Sequence, residues 1–170
     1  ADIAAYQPSP ENLLVNGDFS LDILNGGFDW IHQPVSGVSI ALDAGETHSS
    51  SRSLRIVLDG AEISDAGISQ FVNLEPNTRY DLTALYKARD MDGAGGVHFA
   101  IHDAYRSTPL FLSEDLRDAD FWKNAGWTFT TPADTHLAIV HVIRVPAGRP
   151  IRGKLWIDGL RLVQSGTEGK

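Results

Sequence analysis

The sequence predicts an all-β domain: two antiparallel sheets packed face to face as a sandwich. Three observations predict it. Apolar residues recur with a period of two in several short runs, turn-forming residues punctuate those runs, and only one stretch carries the markings of a helix. At 170 residues the chain is long enough for one well-buried core and short for two. No internal repeat or linker divides it. A single domain is therefore expected over residues 12–163, with 1–11 as leader or linker and 164–170 as a frayed tail.

The start, ADIAAYQPSPEN, has neither the basic nor the apolar region of a signal peptide and reads as a mature or trimmed N-terminus stiffened by Pro8 and Pro10. Val38–Leu42, Leu54–Leu58 and Gly67–Val72 are the first strand candidates. Arg79–Ala88 is the clearest. Tyr80, Leu82, Ala84, Tyr86 and Ala88 alternate with the polar Arg79, Asp81, Thr83 and Lys87, and Leu85 is the exception. Val97, Phe99 and Ile101 repeat the pattern, with His98, Ala100 and His102 on the opposite face. Ser113–Asn124 is the one helix candidate, Ser113 serving as N-cap and Glu114 and Asp115 favouring the first turn. Trp127–Thr130, Leu137–Val145 and Leu155–Val163 bring the total to about nine strands, enough for two packed sheets. Turns are expected at Asn25-Gly26-Gly27, Asp59-Gly60, Glu75-Pro76-Asn77, Asp92-Gly93 and Pro146-Ala147-Gly148.

Composition excludes several classes of function. Lys and Arg total 14 against 22 Asp and Glu, a net charge of −8 that suits neither nucleic-acid phosphates nor an anionic membrane surface. The same balance favours neutral ligands or cations, and a soluble monomer. Without cysteine there is no disulfide, thiolate metal site or cysteine nucleophile. No apolar run approaches the ~20 residues of a membrane helix, so no membrane insertion is expected. His98 and His102 stand four apart in a strand, ~13 Å along one face, too far to share a metal directly. No zinc-protease, nucleophile-elbow, phosphate-loop or dinucleotide motif occurs, and the chain reads as non-enzymatic.

Five strings resemble one known group. NLLVNGDFS (Asn12–Ser20), followed by Phe28 and Trp30, resembles the opening of the jelly-roll carbohydrate-binding modules of families four, nine, sixteen and twenty-two, within the galactose-binding-domain-like fold. SSSRSLRIVLDG (Ser49–Gly60), the stretch Ile68–Ala88, GWTFTTPA (Gly126–Ala133) and LWIDGLRLV (Leu155–Val163) resemble its later strands, in order. The resemblance implies a two-sheet jelly roll, a non-catalytic role in binding a poly- or oligosaccharide, and an extracellular, periplasmic or cell-envelope location. Domains with these strings also occur as parts of larger secreted or envelope proteins, so an interaction or structural domain without sugar affinity is the alternative.

The resemblance also implies a structural calcium where the first strand, the loop before the Leu54 strand and the last strand meet. Its ligand candidates are Asp18 and Ser20, Glu46, a carbonyl within Ser49–Ser51 (Ser51 in particular) and Asp158. Asp158 stands inside an apolar strand, where its charge needs a partner. Ser20 replaces the usual Glu, and Ser50-Ser51 the usual Ser-Gly. For sugar, aromatic faces would stack on pyranose C–H surfaces while polar side chains read hydroxyls. Trp30, Trp127, Tyr80 and Tyr86 are expected in the core. Trp122 and then Tyr105 are the exposed candidates, with Lys87, His98, His102 and Arg144 as polar contacts. Some jelly-roll polysaccharide lyases use Tyr, His and Arg, parts that Tyr105, His98, His102 and Arg106 would play here, but no lyase motif is present.

Overall fold

The alternating runs become ten strands: β1 (Ile31–His32), β2 (Val38–Asp43), β3 (Ser53–Ile63), β4 (Asp65–Asn73), β5 (Arg79–Asp92), β6 (Gly96–Asp103), β7 (Pro109–Leu112), β8 (Ala119–Thr130), β9 (Leu137–Val145) and β10 (Arg149–Gln164). The structure is a computed structural model describing residues 12–23, 25, 29–48, 50–117 and 119–165. The expected leader 1–11, the tail residues 166–170, Gly26 and Gly27 of the first expected turn, Phe28 and Ser49 lie outside the described residues. Two five-stranded antiparallel sheets result, ordered β1-β4-β9-β6-β7 and β2-β3-β10-β5-β8. We call them the first and second sheet. The expected jelly-roll sandwich is the observed fold.

One alternate face of each strand fills the space between the sheets. Leu54, Ile56 and Leu58 of β3, Tyr80, Leu82 and Tyr86 of β5, and Leu155 and Ile157 of β10 meet Ile68 and Val72 of β4, Phe99 and Ile101 of β6, and Val140 and Val142 of β9. The expected core aromatics are there: Trp30 is buried, Tyr80 stacks on Phe129 at 5.9 Å, and Trp127 packs against Phe111 at 5.7 Å. Such ring pairs add to the area they bury.

Two expectations fail locally. Ser113–Asn124 forms no helix among its described residues: 113–117 are irregular and β8 begins at Ala119. The Ser113 hydroxyl accepts from the Phe99 N–H at 2.9 Å, and the Ser113 and Leu116 N–H groups donate to Phe99 O and Val97 O. Leu116 is fully buried. Pairing with β6 and burial of Leu116 thus override a local capping preference. Asp59-Gly60 is not a turn but lies inside β3, where Gly60 (φ +101°) accompanies a register shift against β10 between Pro150 and Arg152. It is a bulge, which in sequence looks like a turn.

The opening string earns its place by closing the sandwich. The Asn12 side chain accepts from Leu14 N and Leu162 N and donates to Leu160 O, while Leu160 N donates to Gly17 O at 2.8 Å. On the other sheet, buried Gln70 of β4 donates to Val15 O at 2.9 Å and accepts from Val15 N at 2.7 Å. Asn16 and Phe19 take positive φ, and Phe19 stacks on Trp30 at 5.3 Å. Gly17 has no alternative, since a Cβ there would stand 2.3 Å from Leu160 O. Gly17→Ala is expected to lower the unfolding free energy by about 1–3 kcal/mol through overpacking, read from the denaturant midpoint. An unchanged midpoint would show that this close approach is not required.

Candidate functional site

A solvated sheet face ordinarily carries polar residues at alternate positions. β9 breaks that rule. Its sequence LAIVHVIRV puts Ala138, Val140 and Val142 into the core, yet Leu137, Ile139 and Ile143 point outward with His141, all half-buried. Pairing extends this outer face across the first sheet. One row runs Ile31, Ser69, His141, Ala100, Leu112, and the next runs Phe71, Ile139, His102. Leu112 at the edge is 51% exposed. An apolar strip beside hydrogen-bonding groups therefore faces solvent, the arrangement that marks interaction surfaces.

The imidazoles on this face are held in set orientations. His141 Nδ1 lies 2.9 Å from Asp65 Oδ2. His98 Nδ1 lies 2.8 Å from Ser113 O. Both partners accept, so each Nδ1 is the donor and each ring is fixed in orientation. His102 packs edge-on against His141 with ring centroids 4.6 Å apart. Burial, and second the His141 ring, push its pKa below the ordinary value of 6.5, against weaker upward pulls from Asp65 and Asp103. At the end of β6, the Asp103 carboxylate accepts from Tyr105 N, Thr135 Oγ1 and Arg106 N, contacts that hold it below the usual carboxylate range. This turn presents Tyr105, 79% exposed. Arg106 is tied to Asp103 and Asp134 at 3.5 and 3.3 Å.

The outer face of the second sheet differs. Trp156, 6% exposed, donates from Nε1 to Asp43 Oδ2 at 3.1 Å, and Lys87 Nζ sits 5.8 Å from its ring centroid while pairing with Glu46 at 2.6 Å. Half-buried Trp122 stands edge-on to His48, 6.3 Å between centroids. Farther along, a cleft of about 300 Å³ opens around Leu85, Asn124 and Arg161 at the β10 bulge beside Gly159. Residues of the β2–β3 connection, Glu46 and His48, thus attach to this sheet.

The sequence-derived contacts therefore do not form one site. His98 and His102 share the first sheet's outer face and Tyr105 follows on the turn after β6, but Trp122 and Lys87 belong to the second sheet. Lys87 is buried and spent on Glu46 and Trp156, so it is corrected to a structural residue. Arg144 is likewise corrected. It is 1% exposed and donates to the carbonyls of Gly96, Val145, Arg149 and Pro150. Its guanidinium satisfies strand ends and is not presented to a ligand. His141, Asp65, Phe71, Ile139 and Ile143 were missed. For Ile139, His141 and Ile143 the signal was the apolar residues at both alternate positions of β9, which a one-face-buried strand does not need.

Most of the residues implied for calcium are met by groups of the protein itself. Asp158 Oδ2 accepts from His48 N at 2.8 Å and Ser50 N at 3.4 Å. Glu46 is paired with Lys87. Asp18 Oδ1 accepts from Ser20 N at 3.1 Å, and Ser20 O accepts from Arg52 Nη2 at 2.8 Å. Ser51 is exposed. Among the described residues no three His, Asp or Glu side chains gather as metal ligands.

No known family's sequence profile matches the chain. It is 24% identical over 159 residues to the tRNA nuclease WapA of Bacillus subtilis strain 168, covering 89% of this chain and 7% of that protein. The chain thus spans a small fraction of the curated relative. Among solved structures it is similar to a family 4 carbohydrate-binding module (16% identity, 89% of this chain and 99% of the other, TM-score 0.65). A family 16 module shows 21% identity, the same coverages and a TM-score of 0.59. The family 22 xylan-binding domain of Paenibacillus barcinonensis Xyn10C shows 12% identity, coverages of 93% and 97%, and a TM-score of 0.56. The fold is that of jelly-roll carbohydrate-binding modules. Among the described residues no helix is long and apolar enough to cross a membrane.

The lowered His102 pKa has a definite sign. Between its folded value and 6.5 the unfolded chain binds the extra proton, so stability rises with pH through that window and is lost as pH falls. His102→Gln should therefore lose less unfolding free energy than the wild type between about pH 7.5 and about pH 5. Equal losses in denaturant titrations would contradict this.

Proposed function

We propose that this is a non-catalytic, exported glycan-binding module whose ligand, a neutral poly- or oligosaccharide, lies across the outer face of the first sheet. The apolar strip on β9 carries this reading. Ile139, Ile143 and Phe71 offer a surface for the C–H faces of sugar rings, while Ser69 and the imidazoles of His98, His102 and His141 offer partners for hydroxyls. No bond is made or broken. The net charge of −8 and Asp65 on this face favour an uncharged ligand over a polyanion. The likeness to carbohydrate-binding modules supports the reading at the level of fold.

A second reading has its own support: a structural or interaction domain of a larger secreted or envelope protein. The matched span is 7% of WapA, and the strip is built mainly from aliphatic side chains rather than paired indole rings. A glycan array followed by calorimetry separates the two. The expected result is a reproducible polysaccharide hit, weakened about tenfold, or ~1.4 kcal/mol, by Phe71→Ala or His102→Ala and unchanged by Trp122→Ala. A blank array from folded protein supports the second reading. A hit lost only in Trp122→Ala would move the ligand to the other sheet.

A further inference from the structure

We propose that the corner where the β2–β3 connection meets β10 is locked by the protein's own donors in place of a metal ion, with the Ser50 hydroxyl at its centre. The inference stands on a disagreement between the metal that the resemblance implies and the groups this chain puts there. Asp158 is 1% exposed inside β10, and a carboxylate buried that deeply must be neutralised or hydrogen-bonded. A bound cation is one solution, and backbone and hydroxyl donors are the other.

The observed contacts follow the second. Ser50 Oγ lies 2.5 Å from Arg52 O and 3.4 Å from Asp158 O, and it also contacts Asp158 Oδ1. Three oxygens thus converge on a hydroxyl. Calcium would take such oxygens at ~2.3–2.6 Å, so an ion cannot share the point that Ser50 Oγ already fills. The other carboxylate oxygen, Oδ2, receives the N–H groups of His48 and Ser50. Backbone N–H groups thus satisfy that oxygen without a cation.

Positive charge at this corner is already supplied by side chains. Arg52 Nη2 donates to Ser20 O at 2.8 Å, and Nη1 pairs with Asp22 at 2.9 Å. One guanidinium therefore joins the N-terminal segment to the β2–β3 connection. Lys87 Nζ occupies the Glu46 carboxylate at 2.6 Å, and the Glu46 carbonyl accepts from Ser53 Oγ at 2.5 Å. Of the departures noted in the sequence, Ser20 brings no carboxylate and its carbonyl goes to Arg52, while the neighbouring Ser50 hydroxyl bonds the Asp158 carboxylate.

Melting the intact domain with millimolar calcium and with EDTA tests this, alongside terbium luminescence as a probe of any hard-cation site. The expected result is the same melting temperature in both and no sensitised terbium emission. Ser50→Ala should lower the melting temperature by about 2–8 °C equally in calcium and in EDTA, because a donor to a buried carboxylate is lost. A melting temperature that rises with calcium in the wild type, or saturable terbium emission, would overturn the proposal. So would a Ser50→Ala protein as stable as the wild type.

Discussion

Everything above the core rests on a tie between the two sheets made by a segment that belongs to neither. Residues 12–17 hydrogen-bond to β10 of the second sheet through Asn12, Leu13 and Gly17, and to β4 of the first through the side chain of Gln70. A sandwich held only by apolar contact can slide or splay, whereas paired backbone groups fix a register. Gln70 imitates a strand partner, offering one donor and one acceptor to Val15. The positive φ at Asn16 and Phe19, and the close approach at Gly17, let the chain turn from this pairing so that Phe19 can reach Trp30.

The two outer faces then diverge. Asp158, placed beside the β10 bulge, draws in the connection that carries Glu46, His48 and Ser50, and Lys87 and Trp156 are buried in the process. Charge at this corner is paired within the protein. Among the described residues no comparable ion-pair network crosses the outer face of the first sheet, where the His141–Asp65 contact orients a ring. Its aliphatic strip stays in contact with water, a standing cost that binding would relieve. The difference between the faces follows from where the chain places one buried carboxylate and one unalternating strand.

The strands were largely legible. Arg79–Ala88 and Leu137–Val145 read directly from alternation and apolar content, and Trp30, Tyr80 and Tyr86 fell in the core as expected. The opening string was legible as a fold marker, and the hydrogen bonds of Asn12, Asn16 and Gly17 show why: each residue performs a step that few others can. The site was only half legible. Spacing tells which residues of one strand share a face, so His98 and His102 were grouped properly, but it does not tell which sheet a strand joins. Trp122 and Lys87 were therefore placed beside them when they lie on the second sheet. Arg144 was misread because a polar residue at a strand end looks the same whether its guanidinium meets solvent or four carbonyls. The helix over Ser113–Asn124 was misread because local capping residues carry no record of the long-range pairing with β6.

The central claim is that ligand meets the outer face of the first sheet. Amide spectra of the isotopically labelled domain, recorded with and without a glycan that binds it, test this most directly. The account predicts shifts concentrated at Ser69, Phe71, Ala100, His102, Ile139 and His141, with the β5, β8 and β10 amides around Leu85 and Trp122 unmoved. Shifts centred on the second sheet, with the β9 strip silent, would contradict it.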